Sequence, residues 1–183
     1  MEELAIQGVW LANSPIIEDG RGLFREWYKA TDLIALGINP FNVSQANISI
    51  SHKGVVRGIH YSLASEGQEK WITCVSGSIW DVIVDIRPSS PTFGKWVSVN
   101  LTAKSGNSIL ISSGLGHGFM ALEDNTTVSY LLTSAYSPKD EYEIFPFDSV
   151  LGINWPLSEA ILSDKDAQAK SFNQLKNEGK LPN

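Results

Sequence analysis

The segment Ser78-Ile79-Trp80-Asp81-Val82-Ile83-Val84-Asp85-Ile86-Arg87 decides the fold class of this chain. Its side chains alternate, so that Trp80, Val82, Val84 and Ile86 share one face and Ile79, Asp81, Ile83 and Asp85 share the other. Because successive side chains of a β-strand point to opposite faces, this period of two predicts a strand. The pattern by itself assigns no role to Asp81 or Asp85.

Further short segments on both sides of this strand carry strand-like patterns. They are separated by turn-forming sequences such as Val75-Ser76-Gly77-Ser78 and Pro88-Ser89-Ser90-Pro91. The predicted strands cover residues 4–12, 15–17, 23–28, 43–50, 55–61, 70–76, 78–87, 95–101, 108–112 and 127–133. A short helix is predicted over 32–36, capped by Thr31 and ended by Gly37, and one or two more in the polar tail 163–179. Closely spaced strands without intervening helices predict one all-β domain over residues 1–183, a sandwich or barrel with a helical tail.

Composition excludes several classes of partner. The chain has 183 residues, 43% of them hydrophobic, which suits one compact domain with a substantial core. The net charge of −6 argues against nucleic acid and anionic membranes as partners. Cys74 is the only cysteine, so neither an intrachain disulfide nor a cysteine metal cluster is possible. The N-terminus is acidic and no stretch of 18 apolar residues occurs, so we expect a soluble cytoplasmic protein.

Candidate chemistry centres on histidines in apolar or glycine-flanked settings, His60 and His117. Arg57 lies three residues before His60, so in a regular strand the two would face opposite sides. A bulge at Gly58 would turn both side chains towards one pocket. Tyr130 alternates onto an apolar inner face, from which its hydroxyl could reach a ligand inside a barrel. The residue pattern alone therefore predicts a small β-barrel with a polar pocket.

A metal site is the first alternative for such a barrel. Barrels of the cupin type often bind metal through a His-x-His pair, a carboxylate and a later histidine. Here Ser62 stands where the second histidine of the pair would fall after His60. His60 and His117 alone are fewer than the three or four ligands expected for Zn²⁺ or Fe²⁺. No nucleotide-binding glycine motif and no CxxC pair occurs, so we expect neither a metal nor another cofactor.

Motifs over nearly the whole chain point to one family. They lie, in order, at 19–26 (Asp-Gly-Arg-Gly-Leu-Phe-Arg-Glu), 45–47 (Gln-Ala-Asn), 56–61 (Val-Arg-Gly-Ile-His-Tyr), Lys70, 81–87, 90–96, 114–119 (Gly-Leu-Gly-His-Gly-Phe), Tyr130, 151–156 and 162–166. With these motifs the chain resembles the dTDP-4-dehydrorhamnose 3,5-epimerases, metal-free enzymes with a cupin-type jelly-roll barrel. The resemblance implies an isomerase of dTDP-L-rhamnose biosynthesis that inverts C3 and C5 of dTDP-4-dehydro-6-deoxy-D-glucose.

The same resemblance implies the catalytic roles. His60 would remove the protons on C3 and C5, which are acidic because both carbons lie next to the C4 ketone. Asp166 would orient His60 from the distant tail. Lys70, together with Arg57, would stabilise the negative charge on the C4 oxygen of the enolate. Tyr130 would return a proton from the opposite face.

The substrate contacts are also implied by the resemblance. They are Arg21, Glu26, Gln45, Asn47, Arg57, His117, Glu141 and Lys165. Arg21 would bind the pyrophosphate, since a guanidinium pairs bidentately with phosphate oxygens, and would do so in a neighbouring subunit, which implies a homodimer. The chain departs from the family at Ser113, which is usually Pro, and at Leu131, where Lys is common. We expect both departures at the rim of the pocket.

Two other functions stay open at this point. One is a 3- or 5-mono-epimerase acting on another dTDP-4-keto-deoxysugar, because the motifs are shared between these enzymes. The other belongs to a different class, a non-catalytic sugar-binding protein or a metal-dependent cupin. Product analysis distinguishes the first, and metal analysis with a solvent-deuterium exchange assay distinguishes the second.

Overall fold

Thirteen β-strands and three short helices form the part of the chain that the structure, a computed structural model, describes, residues 1–182. The strands are β1 Glu2–Glu3, β2 Val9–Asn13, β3 Ile16–Asp19, β4 Gly22–Arg25, β5 Gln45–Ser51, β6 Val56–Ser62, β7 Lys70–Ser76, β8 Ser78–Asp85, β9 Trp96–Thr102, β10 Asn107–Ile111, β11 Leu115–Ala121, β12 Thr126–Leu132 and β13 Glu141–Glu143. The helices are α1 Ala30–Ala35, α2 Asp164–Ala167 and α3 Phe172–Asn177. None of the helices in residues 1–182 has the length and apolar character needed to cross a membrane.

Two antiparallel sheets carry the architecture. The larger has the strand order β1-β2-β10-β7-β12-β5, and the smaller has the order β13-β6-β11-β8-β9. Strands β3 and β4 form a separate two-stranded hairpin. Every named strand pair is antiparallel, with non-consecutive neighbours in both sheets, as in a jelly roll. The predicted all-β fold with short C-terminal helices is confirmed.

Strand β8 shows why the alternation predicted the fold. Its odd-numbered apolar residues, Ile79 and Ile83, belong to the core cluster between the two sheets. Its even-numbered residues, among them Val82 and Val84, pack on the other side of the sheet against the C-terminal segment that carries Phe172. The strand is thus covered on both faces, which explains its nearly continuous hydrophobic character.

Asp85 has a structural role that the sequence did not reveal. Its buried carboxylate accepts hydrogen bonds from the Arg87 guanidinium (2.8 and 2.9 Å) and from the hydroxyls of Ser90 and Thr92 (2.5 Å each). Burial alone would raise the pKa of Asp85, but these donors together lower it to about 2. The carboxylate therefore holds the turn between β8 and β9.

Glycine explains the strand that the sequence pattern missed. Strand β11 contains Gly116 and Gly118, which weaken any strand prediction. A Cβ at either position would approach the Ile59 side chain to 2.7 Å, so only glycine allows β6 and β11 to lie this close. The short strand β13 was also not predicted.

Two local predictions at the N-terminal side are wrong. Residues 4–8 form turns rather than the first half of a strand, and β2 begins only at Val9. Thr31 does not cap α1, because the helix begins at Ala30 with Lys29 as an N-cap residue that makes no side-chain hydrogen bond. Gly37 follows the helix with a φ of 73°, as expected for a residue that ends it.

Candidate active site

A polar cavity of about 400 Å³ collects most of the predicted site residues. Its walls come from β5, β6, β7, β12, β13 and α2, and thus from both sheets and the C-terminal tail. The predicted residues that line it are Gln45, Asn47, Arg57, His60, Lys70, Tyr130, Glu141, Lys165 and Asp166. A smaller cavity of about 150 Å³ shares Arg57, His60, Lys70 and Tyr130 and adds His117.

His60 and Asp166 form a pair although 106 residues separate them. His60 Nε2 lies 2.6 Å from Asp166 Oδ1, within the hydrogen-bond reach that the predicted orienting role requires. Burial opposes ionisation of Asp166, but hydrogen bonds from His60, Ser163 and the backbone of Gly58 together lower its pKa. Because the ionised carboxylate accepts the Nε2 proton, Nδ1 of His60 keeps its lone pair and can accept a proton.

The irregular path of β6 brings Arg57 and His60 to the same cavity. Gly58 has a φ of 134°, and the pairing between β6 and β11 changes register across this point. A Cβ on Gly58 would lie 2.5 Å from the Cα of Gly118, so no other residue fits there. The bulge predicted at Gly58 is therefore present, and both side chains line the cavity.

Arg57 is held from strand β5 of the opposite sheet. Its Nε donates to Ser51 Oγ at 3.1 Å, and its Nη2 donates to the Ile50 carbonyl at 3.4 Å. Tyr130, which also lines the cavity, is half-buried, and burial raises its pKa against the opposing effects of Arg57 and Asn47. Its phenol therefore keeps its proton at neutral pH and can act as a donor.

Lys70 is buried at the start of β7, and its Nζ donates to the His60 carbonyl at 3.3 Å. Burial lowers its pKa to about 8, while the carboxylates of Glu141 and Asp81 oppose the shift. A buried ammonium that is already in place can stabilise a negative charge that develops next to it. The cavity thus brings together the base His60, the buried cation Lys70 and the phenol of Tyr130.

His117 has a partner that the sequence left unassigned. Its Nε2 lies 2.8 Å from Oδ2 of the fully buried Asp81 on the neighbouring strand β8. Burial lowers the pKa of His117, and Asp81 opposes this effect only in part. Neutral His117 thus donates through Nε2 to Asp81 and presents an acceptor nitrogen at Nδ1. An aspartate that interrupts an apolar strand is the signal that could have suggested this pair.

Two predicted site residues lie outside this cavity in the single chain. Arg21 sits in the turn of the β3–β4 hairpin, where its side chain is 91% exposed and pairs with Asp19 at 2.5 Å. Glu26 lines a separate cavity near α1 and pairs with Lys29 at 3.3 Å. Any contact of Arg21 or Glu26 with a ligand in the main cavity therefore needs a second chain or a large rearrangement.

Several predicted contacts are already engaged with other protein groups. Gln45 accepts the backbone N–H of Tyr136 at 2.8 Å and donates to the Asn47 side chain at 3.0 Å. Lys165 pairs with Glu143 at 2.9 Å, and this hydrogen bond raises its pKa. These pairs fix the rim of the cavity before any ligand is bound.

The cavity also contains residues that sequence reasoning missed. Gln68, Tyr136 and Tyr142 line it, and none belongs to a strand whose alternation had marked it as inward-facing. Conversely, Ser113 and Leu131 are not at its rim, so that prediction is wrong. Ser113 lies in another groove beside Gly67, and Leu131 packs on the far face of the larger sheet.

The potential metal ligands in this region are not grouped as a metal site. Within residues 1–182, no three side chains of His, Cys, Asp and Glu come together in a way that could hold a metal ion. Each cavity histidine has one carboxylate partner instead, Asp166 for His60 and Asp81 for His117. The expectation of a metal-free protein stays a prediction.

Comparisons with known proteins agree with the fold and the motifs. A profile of the dTDP-4-dehydrorhamnose 3,5-epimerase family matches residues 3–174. The dTDP-4-dehydrorhamnose 3,5-epimerase of Mycolicibacterium smegmatis is 45% identical over 181 residues, which cover 98% of this chain and 89% of the relative. The rmlC epimerase of Mycobacterium tuberculosis superposes with a TM-score of 0.95 at 44% identity and covers 98% of this chain and 92% of its own. ChmJ, a 3′-monoepimerase of Streptomyces bikiniensis solved in complex with dTDP-quinovose, superposes with a TM-score of 0.96 at 39% identity and covers 100% and 92%.

The two antiparallel sheets and the polar cavity that they line define a cupin-type jelly roll. Within that class the agreement is with one group of sugar-nucleotide epimerases, over nearly the full length of the chain. The chain belongs to the dTDP-4-dehydrorhamnose 3,5-epimerase family. The resemblance drawn from the sequence motifs is thereby confirmed.

Proposed function

We propose that the chain inverts C3 and C5 of dTDP-4-dehydro-6-deoxy-D-glucose through enolate intermediates and releases dTDP-4-dehydro-L-rhamnose. The observation that carries the proposal is the position of a base and a phenol on opposite walls of one cavity. His60 belongs to β6 of the smaller sheet, and Tyr130 belongs to β12 of the larger sheet. Inversion needs a proton removed from one face of a carbon and another delivered to the opposite face.

His60 acts as the base in this mechanism. The Nε2–H bond to Asp166 leaves Nδ1 free to take the proton from the carbon next to the C4 ketone. The buried carboxylate also stabilises the imidazolium that forms when the proton arrives. The electron pair of the broken C–H bond moves onto the C4 oxygen as the enolate forms.

Lys70 and Arg57 bind that oxygen as its negative charge develops. Both already line the cavity in fixed positions, Lys70 through the His60 carbonyl and Arg57 through Ser51. Donors that are held before the reaction lose little free energy to reorganisation. Tyr130 then donates its phenolic proton to the carbanion from the opposite wall, and neutral His117 accepts a hydrogen bond from a substrate hydroxyl.

A 3- or 5-mono-epimerase is the second candidate, favoured by one observation. The 3′-monoepimerase ChmJ superposes on this chain as well as the M. tuberculosis epimerase does, with TM-scores of 0.96 and 0.95. Both activities need a proton removed and returned at a carbon next to the C4 ketone, and they differ in how many carbons undergo this exchange. The identity of the catalytic residues therefore does not separate the dual epimerase from the mono-epimerase.

One incubation separates the candidates. The protein is mixed with dTDP-4-dehydro-6-deoxy-D-glucose in D₂O, and the recovered sugar nucleotide is read by NMR. Inversion with deuterium at both C3 and C5 supports the dual epimerase. Inversion at only one of these carbons supports the mono-epimerase, and binding without deuterium incorporation refutes both in favour of a non-catalytic sugar-binding protein.

We further propose a homodimer in which the β3–β4 hairpin of one chain packs on strand β5 of the other. Strand β5 is an edge strand with its apolar side outward, so that Ile48 and Ile50 are 71% and 64% exposed. The hairpin also exposes apolar side chains, Phe24 among them, and carries Arg21 in its turn. Exposed apolar edges of this kind favour association. In such a dimer Arg21 would reach the partner's cavity and bind the pyrophosphate.

The dimer is tested by light scattering during gel filtration. The parent protein should elute with twice the 20.1 kDa chain mass. Ile48→Lys places a charge on the exposed edge and should shift the protein towards the monomer. Val75→Lys changes an exposed apolar residue on strand β7 and serves as the control. A monomeric parent with full activity would refute this arrangement.

A further inference from the structure

Gln68 is a buried amide that neither the sequence motifs nor the proposed mechanism uses. It precedes β7 by two residues and lines the main cavity. Its Nε2 donates to Oε1 of Glu141 at 3.0 Å. A buried amide that contacts a cavity carboxylate is costly unless its hydrogen bonds are satisfied, so this contact restricts where the Glu141 carboxylate can lie.

The charge of Glu141 acts on Lys70 and raises its pKa against the effect of burial. Strand β13 carries Glu141 opposite Ser62 on β6, and Lys70 donates to the carbonyl of His60 on the same strand β6. Glu141 and Lys70 therefore line the same cavity on neighbouring elements. The titratable groups that line the two cavities with Lys70 come from several elements: His60 and Arg57 of β6, His117 of β11, Tyr130 of β12, Tyr136 after β12, Glu141 and Tyr142 of β13, and Lys165 and Asp166 of α2. The buried Asp81 of β8 also acts on Lys70 through its charge. Several of these charges are already paired: Asp81 with His117, Asp166 with His60, and Lys165 with Glu143.

We propose that Gln68 is a positioning residue: it holds the Glu141 carboxylate inside the cavity, where that negative charge keeps the Lys70 ammonium protonated. The inference rests on the proposed function, because a protonated Lys70 is what stabilises the C4 oxygen in the enolate. Without the Gln68 hydrogen bond, a half-buried glutamate turns towards solvent, where its charge is screened. Lys70 then loses the larger of the two carboxylate contributions that offset burial, and only that of Asp81 remains.

The direct test is the titration of Lys70 itself. In protein labelled with ¹³C at the lysine side chains, the Lys70 signal is assigned by its loss in Lys70→Met and followed across pH. The parent signal should titrate near the pKa of about 8 that burial produces. In Gln68→Met, which keeps the length but removes the donor, the Lys70 pKa should fall further, by about one unit.

The pH dependence of kcat/KM provides the second readout. If the Lys70 pKa falls from about 8 to about 7, the variant loses about three-fold at pH 7.5 and about nine-fold at pH 9, and is almost unchanged at pH 6. A merely structural role for Gln68 would lower the rate by the same factor at every pH. Glu66→Gln removes an exposed negative charge on the same loop and should change neither readout.

Glu141→Gln keeps the test decisive if Gln68→Met does not fold. Removing the Glu141 charge should lower the Lys70 pKa as much as Gln68→Met does, and the double variant should add nothing further. The proposal is overturned if Lys70 titrates at the parent pH in Gln68→Met or in Glu141→Gln. If the parent lacks epimerase activity but the Lys70 titration shifts as expected, the proposed function fails while the Gln68–Glu141–Lys70 coupling stands.

Discussion

Replacing Asp166 by Asn tests the dyad that organises the proposed mechanism. The substitution keeps the shape of a side chain that is 4% exposed and removes only its charge. An Asn amide can donate to His60 Nε2, which forces the ring proton onto Nδ1. The nitrogen that should accept the substrate proton is then already protonated, so we expect turnover to collapse while the fold survives.

The magnitude follows from the 2.6 Å contact between His60 Nε2 and Asp166 Oδ1. A hydrogen bond to a charged group contributes about 1.5–3 kcal/mol, or about 10- to 150-fold in rate. The change of tautomer adds to that loss, so kcat should fall by about 10²- to 10⁴-fold. Folding changes less, because the backbone N–H of residue 166 still donates to the N-cap hydroxyl of Ser163. The melting temperature should fall by less than about 10 °C.

The assay compares single-turnover formation of inverted sugar nucleotide by Asp166→Asn, the parent and Asp164→Asn. Asp164 lies two residues away in α2 and is exposed, so its replacement by Asn should leave kcat within about two-fold of the parent. Circular dichroism and thermal melting establish that each variant is folded. A folded Asp166→Asn protein that retains more than a tenth of the parent kcat would refute the orienting role of Asp166.

Three further outcomes are expected. His60→Asn should abolish both inversion and exchange of the C3 and C5 protons with D₂O. Tyr130→Phe should still incorporate deuterium but retain the configuration. Full inversion by Tyr130→Phe at the parent rate would remove Tyr130 from the mechanism. Chelator-treated protein should keep its rate, because the His-x-His pair is missing at Ser62; activity lost and then restored by one divalent ion would contradict this. Asp85→Asn should cost about 2 kcal/mol in the free energy of unfolding at pH 7, since the Asp85 pKa is lowered from 3.8 to about 2. That contribution is present above about pH 4 and is lost as the pH falls through the folded-state pKa of about 2. The difference in free energy of unfolding between the parent and Asp85→Asn, measured by urea unfolding, should therefore narrow below about pH 4. A difference that does not change with pH would show that the carboxylate charge is not what stabilises the turn.

Local sequence patterns were enough to predict the class of fold and several residues of the candidate site. Period-two alternation in β8 depends only on neighbouring side chains, so it predicted a strand without knowledge of its partners. It was also predictable that Arg57 and His60 line the same cavity. Glycine within a strand marks a bulge or a close approach, and a bulge at Gly58 turns both side chains to one side. Strand β11 was missed because its glycines serve a contact with Ile59 that a linear pattern does not contain.

The chain by itself determined that the protein is an all-β barrel with a basic and a phenolic residue on inward faces, and its motifs identified the family. The tertiary structure places Asp166 against His60 across 106 positions, as the resemblance implied, and it alone revealed that Asp81 meets His117 and that Gln68 meets Glu141. The reason is physical. Alternation along a strand reports which way each side chain points, but the pairing of distant strands and the packing of the tail against β6 decide what it faces.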